Sequence, residues 1–329
     1  MERTPYPLIV PYASGLLDVG DGNRMYWETS GNPGGKPALV VHGGPGSGGR
    51  RGSRRYFDPE RYRIVLFDQR GCGESVPHAS DPATDMSVNT THHLIADMER
   101  LRERLGIEHW LLYGGSWAST LIVAYAERFP ERVSEIVILG VTMTRREETD
   151  WLYRGVGRFF PEAWARFRDG VPADARDGDL VAAYARLLES PDIDVRTKAA
   201  RDWLTWEDAV ISLEEQGSPG AYSNREDDDA IAFVRICSHY FSHGAWLKDN
   251  ELLHNAGRLA GIPGVLLHGR HDLGSPVGTA WELWQAWPGS ELVVVPDSGH
   301  TGSETMRHLA LEATDRFRLL AAVEAGADA

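Results

Sequence analysis

The stretch Trp110-Leu111-Leu112-Tyr113-Gly114-Gly115-Ser116-Trp117-Ala118 decides how the chain is read. Trp110 to Tyr113 is a short apolar run of the kind that forms a buried strand. It passes directly into two glycines and a serine. From Trp117 to Phe129 the composition is helical, and Pro130 closes the segment. A strand turning this sharply into a helix needs small residues two before and two after the serine, because the backbone folds back on itself there. Gly114 and Ala118 fill those places. The turn lifts the Ser116 hydroxyl clear of the strand and aims the N–H of Trp117 at any oxygen that gains charge beside it. The plainer alternative is a glycine turn with an incidental serine; the flanking strand and helix argue against it.

Working outward, further short apolar runs occur at Ala38–Val41, Ile64–Phe67, Ile136–Leu139, Gly264–His268 and Glu291–Val295. An amino-terminal hairpin is expected from Gly15–Val19 and Arg24–Glu28 around Asp21-Gly22. Asn89 and Thr90 precede a helix whose apolar positions, Leu94, Met98, Leu101 and Leu105, keep helical spacing until Gly106. A last helix starts near Ser303, and the tail 324–329 is expected to fray. Buried strands alternating with helices predict an α/β fold with a mostly parallel sheet covered on both faces. From about Val141 to Arg258 strand character vanishes, and Trp151, Trp164, Trp203, Trp206 and Trp246 fall among arginines and acids. The expected organisation is a core from 1–140 and 259–329, with an inserted helical cap at 141–258.

Composition narrows the function. The 329 residues hold 34 Lys and Arg against 48 Asp and Glu, a formal net charge of −14. Such a chain repels phosphate backbones, so nucleic acid is not an expected partner. Two cysteines, Cys72 and Cys237, make no disulfide framework and suit a reducing compartment. The start, Met1-Glu2-Arg3-Thr4-Pro5, shows no basic region followed by an apolar stretch, so no signal peptide is expected, and no apolar run is long enough for a membrane span. A cytoplasmic protein is expected.

A serine nucleophile needs a base, and the base needs a carboxylate to orient it. Asp272 follows the run Gly264–His268, and His300 follows Glu291–Val295, so both stand just past strand ends. The order Ser116, Asp272, His300 matches one known arrangement of such triads. Asp297 competes weakly with Asp272 because it precedes the histidine by only three residues. The loop His42-Gly43-Gly44-Pro45-Gly46-Ser47-Gly48-Gly49 reads in two ways. It offers the Gly44 N–H as a second oxyanion donor facing that of Trp117. Alternatively, Gly44-x-Gly46-x-x-Gly49 with Asp68 nineteen residues on matches a dinucleotide fingerprint and an NAD-binding oxidoreductase. Arg50 to Arg55 shows no apolar periodicity for a phosphate-binding helix, and Pro45 removes a donor. A silent binding protein on the same scaffold is a further alternative. His92-His93 and the pair His239/His243 lack an accompanying carboxylate or cysteine set, so no metal site is expected.

Taken together, His42-Gly-Gly-Pro-Gly46, Asp68-Gln-Arg-Gly-Cys-Gly73, Gly114-Gly-Ser-Trp117, Trp206-Glu207, His239-Tyr-Phe241, His268-Gly-Arg270 with Asp272, and Gly299-His300 resemble the proline iminopeptidase family of α/β-hydrolases. The resemblance implies an α/β-hydrolase core with a helical cap, no cofactor, and release of an amino-terminal proline from small peptides. It implies Ser116 as nucleophile, His300 as base and acid, and Asp272 as its orienter. It further implies a cap that receives the free amine of a small peptide or small-molecule substrate, with Trp206, Glu207 and the position of Cys237 as the binding residues. A family glutamate is replaced at that last position. A neutral thiol does not supply the charge-assisted hydrogen bond of a carboxylate, about 1.5–3 kcal/mol. An esterase or amidase acting on a non-peptide metabolite is therefore the alternative. Ala118 replaces the second glycine of the turn, and Glu74 stands where a basic residue often follows Gly73.

Overall fold

A computed structural model describes residues 4–49, 51–217 and 219–324. Met1 to Arg3 and the tail beyond Glu324 lie outside the described residues. Eight strands of the described residues form one sheet: β1 Ala13–Gly20, β2 Asn23–Gly31, β3 Lys36–Val41, β4 Tyr62–Phe67, β5 Trp110–Ser116, β6 Val133–Val141, β7 Gly264–Gly269 and β8 Ser290–Val295. Their order across the sheet is β1-β2-β4-β3-β5-β6-β7-β8. β1 and β2 are antiparallel, as are β2 and β4; every other pairing is parallel. The hairpin turns at Asp21 and Gly22, both with positive φ (54° and 73°), the backbone a tight primed turn requires.

Among the described residues ten α-helices accompany the sheet: α1 Thr91–Arg104, α2 Ala118–Arg128, α3 Arg146–Tyr153, α4 Pro161–Asp169, α5 Leu180–Leu188, α6 Ile193–Ile211, α7 Asp227–Ser242, α8 Glu251–Asn255, α9 Gly278–Ala286 and α10 Glu304–Glu324. Alternate residues of the central strands face opposite layers. Leu39, Val41, Leu112 and Ile138 pack with Leu94 and Met98 of α1 and Leu121 of α2. Ala38, Val40, Leu111 and Val137 pack with Met306, Ala310 and Phe317 of α10. Strands buried on both faces read as continuous apolar runs, which is why they stood out in the sequence.

Between β6 and β7 the chain runs through α3 to α8. Tyr153, Phe167, Tyr184, Trp203 and Trp206 form an aromatic cluster of their own there. Helix α7 joins the two regions. Ala232, Ile236 and Tyr240, four residues apart, enter the core cluster, while Ile231, Val234 and Cys237 enter the aromatic one. Buried Arg235 donates to the carbonyls of Ala79, Asp81 and Thr84. The helices are thereby tied to the core loop before α1.

Candidate active site

Ser116 ends β5 with φ at +59°, a left-handed conformation that costs a non-glycine residue energy and is kept where surroundings over-determine it. The surroundings are explicit. A Cβ at position 114 would lie 2.8 Å from the Ala118 Cβ and 2.7 Å from the Val41 carbonyl, and one at 115 would lie 2.7 Å from the Leu139 carbonyl. The Ser119 hydroxyl donates to the Ser116 carbonyl (2.6 Å) and accepts the Thr142 N–H (2.7 Å). Ala118 fits this turn without displacing it. Position 119 gave no sign in the sequence, because a serine early in a helix is ordinary.

The loops after β7 and β8 are zipped together. Arg270 N–H donates to the Val295 carbonyl (2.8 Å) and His271 N–H to that of Ser298 (2.9 Å). That pairing brings Asp272 and His300 side by side. His300 Nδ1 lies 2.8 Å from Asp272 Oδ2, and His300 Nε2 lies 3.0 Å from Ser116 Oγ. The other Asp272 oxygen accepts the Ser275 N–H at 2.7 Å. Buried His268 supports the arrangement: its Nδ1 accepts the Val141 N–H (3.0 Å), so its Nε2–H donates to the Ser275 carbonyl (2.7 Å). Burial keeps it below the usual histidine range. Asp297 is turned away, accepting from Thr305 at 2.7 Å.

Electrostatics follow from these contacts. Burial opposes charge on His300, but Asp272, Glu214 and Glu207 together outweigh it and push its pKa up to about 9. Asp272 is buried too, and the imidazole beside it holds its carboxyl below the usual range. Glu214, on the loop after α6, was not foreseen. Its carboxylate accepts the His300 N–H (2.6 Å) and the Thr301 N–H (2.9 Å).

A cavity of about 820 Å³ opens beside Ser116 and His300, lined also by Gly44, Trp117, Glu207 and Tyr153. The loop after β3 passes over the elbow: a Cβ on Gly43 would sit 3.2 Å from the Ser116 Cβ and 3.6 Å from the Trp117 nitrogen. Gly44 has φ at +111°, and a side chain there would meet the Gly46 and Ser47 nitrogens at 2.8 Å. Asp68 holds this loop from behind, accepting from Gly49 N–H and, at 2.8 Å, from Glu74 N–H. With both oxygens committed to backbone, Asp68 is not available to a ribose. The loop then enters a short 3₁₀ turn, Arg51–Tyr56, rather than a phosphate-binding helix. The dinucleotide reading fails on that geometry.

Of the three cap residues expected to meet substrate, the cavity admits one. Glu207 is 8% exposed, and its Oε1 accepts from the Tyr153 hydroxyl and the Trp203 indole, both at 2.8 Å. Burial raises its pKa against those two donors. Trp206 is not among the lining residues; it is packed against Phe167, and its indole N–H donates to the Leu152 carbonyl at 3.1 Å. Cys237 is likewise outside the lining and fully buried, its thiol donating to the Pro45 carbonyl at 3.3 Å. Burial pushes this thiol well up. Trp203 could have been paired with Glu207 from their four-residue spacing on one helix; Tyr153 had no such signal. Cys72 is also buried and donates to the Gln69 carbonyl at 3.2 Å. Exposed Glu74 pairs with Arg51 at 2.8 Å and does not line the main cavity. Among the described residues no group of three or more His, Cys, Asp and Glu could hold a metal ion, and no helix is long and apolar enough to cross a membrane.

The α/β hydrolase fold family model matches residues 36–318. A probable proline iminopeptidase of Streptomyces coelicolor is 51% identical over 317 residues, covering 95% of this chain and 97% of that protein. A proline iminopeptidase of Xylella fastidiosa is 45% identical, with 96% and 99% covered. The chain belongs to the proline iminopeptidase family of α/β-hydrolases. The solved structure of an acetylester hydrolase from Corynebacterium glutamicum superposes with a TM-score of 0.58 at 18% identity, covering 93% and 95%. At that identity the likeness concerns the fold alone. In this chain Ser116, Asp272 and His300 converge from three separate strand ends, those of β5, β7 and β8.

Proposed function

We propose that this chain is a serine hydrolase that removes an amino-terminal proline from small peptides or amides. The observation that carries the reading is the hydrogen-bonded chain from a strained Ser116 through His300 to Asp272, opening on a cavity whose far wall holds the Glu207 carboxylate. In the working form His300 is neutral, with Nδ1–H donating to Asp272 and Nε2 accepting the Ser116 proton. Ser116 Oγ attacks the scissile carbonyl, and its electron pair moves to the oxygen. The N–H groups of Gly44 and Trp117 receive that oxyanion. The imidazolium then protonates the leaving amine, and water, deprotonated by the same histidine, releases the acyl group. Residues 1–140 and 259–329 act as the catalytic core and 141–258 as the cap.

Glu207 receives the substrate ammonium. A buried carboxylate whose one oxygen is already held by Tyr153 and Trp203 presents the other in a fixed place, so little orientational freedom is lost on binding. The names of the relatives at 45–51% identity support proline as the released residue. A second reading, an esterase or amidase on a non-peptide metabolite, draws on Cys237, which adds no charge for an ammonium. Parallel assays on prolyl arylamide, alanyl arylamide and a simple acyl ester separate the two. Turnover of the prolyl amide well above the alanyl one is expected; robust ester cleavage without prolyl-amide turnover rejects the peptidase.

A further inference from the structure

We infer that Glu214 is a positioning residue of this site, a carboxylate on the loop after α6 that clamps the His300 loop from outside and holds the imidazole in line with Ser116. The inference rests on His300 being the base and goes beyond it. Glu214 Oε1 accepts the His300 N–H at 2.6 Å, while Oε2 accepts both the Thr301 N–H (2.9 Å) and its hydroxyl. Two residues on, Gln216 continues the clamp: its amide donates to Asp297 Oδ2 (3.3 Å), and its oxygen accepts the Glu304 N–H (3.2 Å). The segment after β8 is thus held at both ends by one loop.

Gly299 records the same contact. A Cβ there would fall 2.2 Å from the Glu214 carboxyl carbon. The glycine of Gly299-His300 therefore gives up its side chain to let a glutamate lie over the backbone. Its φ is not in the left-handed region, so conformational freedom does not explain it. Bonds to a backbone N–H fix where the imidazole starts, and misplacement of about 1 Å at a reacting group costs roughly 100-fold in rate.

The carboxylate also acts through its field. Groups facing His300 are Asp272 and His268 from the β7 side, Glu207 from α6, and Glu214; Glu304 and Arg307 of α10 line the same cavity. Glu214 is one of the anions that favour the imidazolium. Removing its charge while keeping its shape makes the base less basic, and ordinary loosening of a loop does not do this.

The test is a pH–rate series on a prolyl arylamide with wild type, Glu214→Gln, Glu214→Asp, Gly299→Ala and Gln216→Ala, each checked for its melting transition. Glu214→Gln is expected to lower the apparent pKa on kcat/KM by about 0.5–1 unit and to lower kcat roughly 10-fold with little change in KM. Gly299→Ala displaces the carboxylate and should reproduce the kcat loss. Glu214→Asp should restore the pKa. Gln216→Ala breaks neighbouring bonds without altering charge and should leave the pKa in place. An unchanged pKa and kcat in folded Glu214→Gln overturns the inference, as does an equal pKa shift in Gln216→Ala. Ser116→Ala run beside them distinguishes this failure from failure of the serine mechanism, which full activity of that variant would signal.

Discussion

The two walls of the cavity are built by different means. The core wall carries Ser116 and His300 at the ends of β5 and β8, with Asp272, past the end of β7, buried behind the imidazole. Each is placed by backbone: a left-handed residue wedged among glycines, and two loops zipped by main-chain hydrogen bonds. The cap wall carries Glu207 on α6, placed by side-chain contacts with Tyr153 and Trp203 inside an aromatic cluster. Backbone devices leave marks in sequence, as glycines and strand-end spacing. Side-chain packing between helices leaves composition only. In the proposed function the difference also separates roles, with the chemistry assigned to the core wall and the hold on the substrate to the cap wall.

That division can be broken most severely at Ser116. Ser116→Ala should lower kcat by on the order of 10⁴-fold or more for amides and esters alike, read by initial rates. Glu207→Gln should act chiefly on the other wall, its charge reaching His300 only through the pH profile. It should raise KM for amine-bearing substrates roughly 10- to 100-fold, the worth of a charge-assisted hydrogen bond, and leave esters without an amine near wild type. A comparable kcat loss on those esters would show that the walls are not separable.

The pH profile sharpens the comparison, because the walls influence one another through charge. His300 must be neutral to accept the serine proton, and its pKa is raised, so kcat/KM should climb with pH and level off only above about 9. Glu207 contributes to that elevation. A substrate ammonium seated on Glu207 cancels part of its field, so the pKa read from kcat should lie below that read from kcat/KM. With an ester lacking the amine the two should coincide. The smallest expected effect is at Cys237. Its thiol faces the Pro45 carbonyl rather than the cavity, so Cys237→Ala should change KM less than about 2-fold. It should lower stability by about 1 kcal/mol, measured by denaturant unfolding.

Much of the core was legible before the fold. The hairpin, six of the eight strands as apolar runs and the Ser116, Asp272 and His300 positions follow from periodicity, glycine placement and strand-end spacing. The places of Trp206 and Cys237 were not legible, for one physical reason. Motif membership does not say which face of a helix meets the cavity, and both side chains turn into packed interiors. Glu214 was invisible because its partner lies 86 residues away and its bonds go to backbone N–H groups, which carry no residue-type signature. Gly299 was visible, but its reason was not until the glutamate lay over it.

Everything proposed here depends on the strained, histidine-linked Ser116 acting as a nucleophile. The most direct measurement is intact-mass and peptide mapping after treatment with a fluorophosphonate probe. One stoichiometric adduct is expected on the peptide bearing Ser116, formed faster as pH rises toward 9 and absent in His300→Ala on the same timescale. A folded protein that takes no label, or takes it at another residue, contradicts the account.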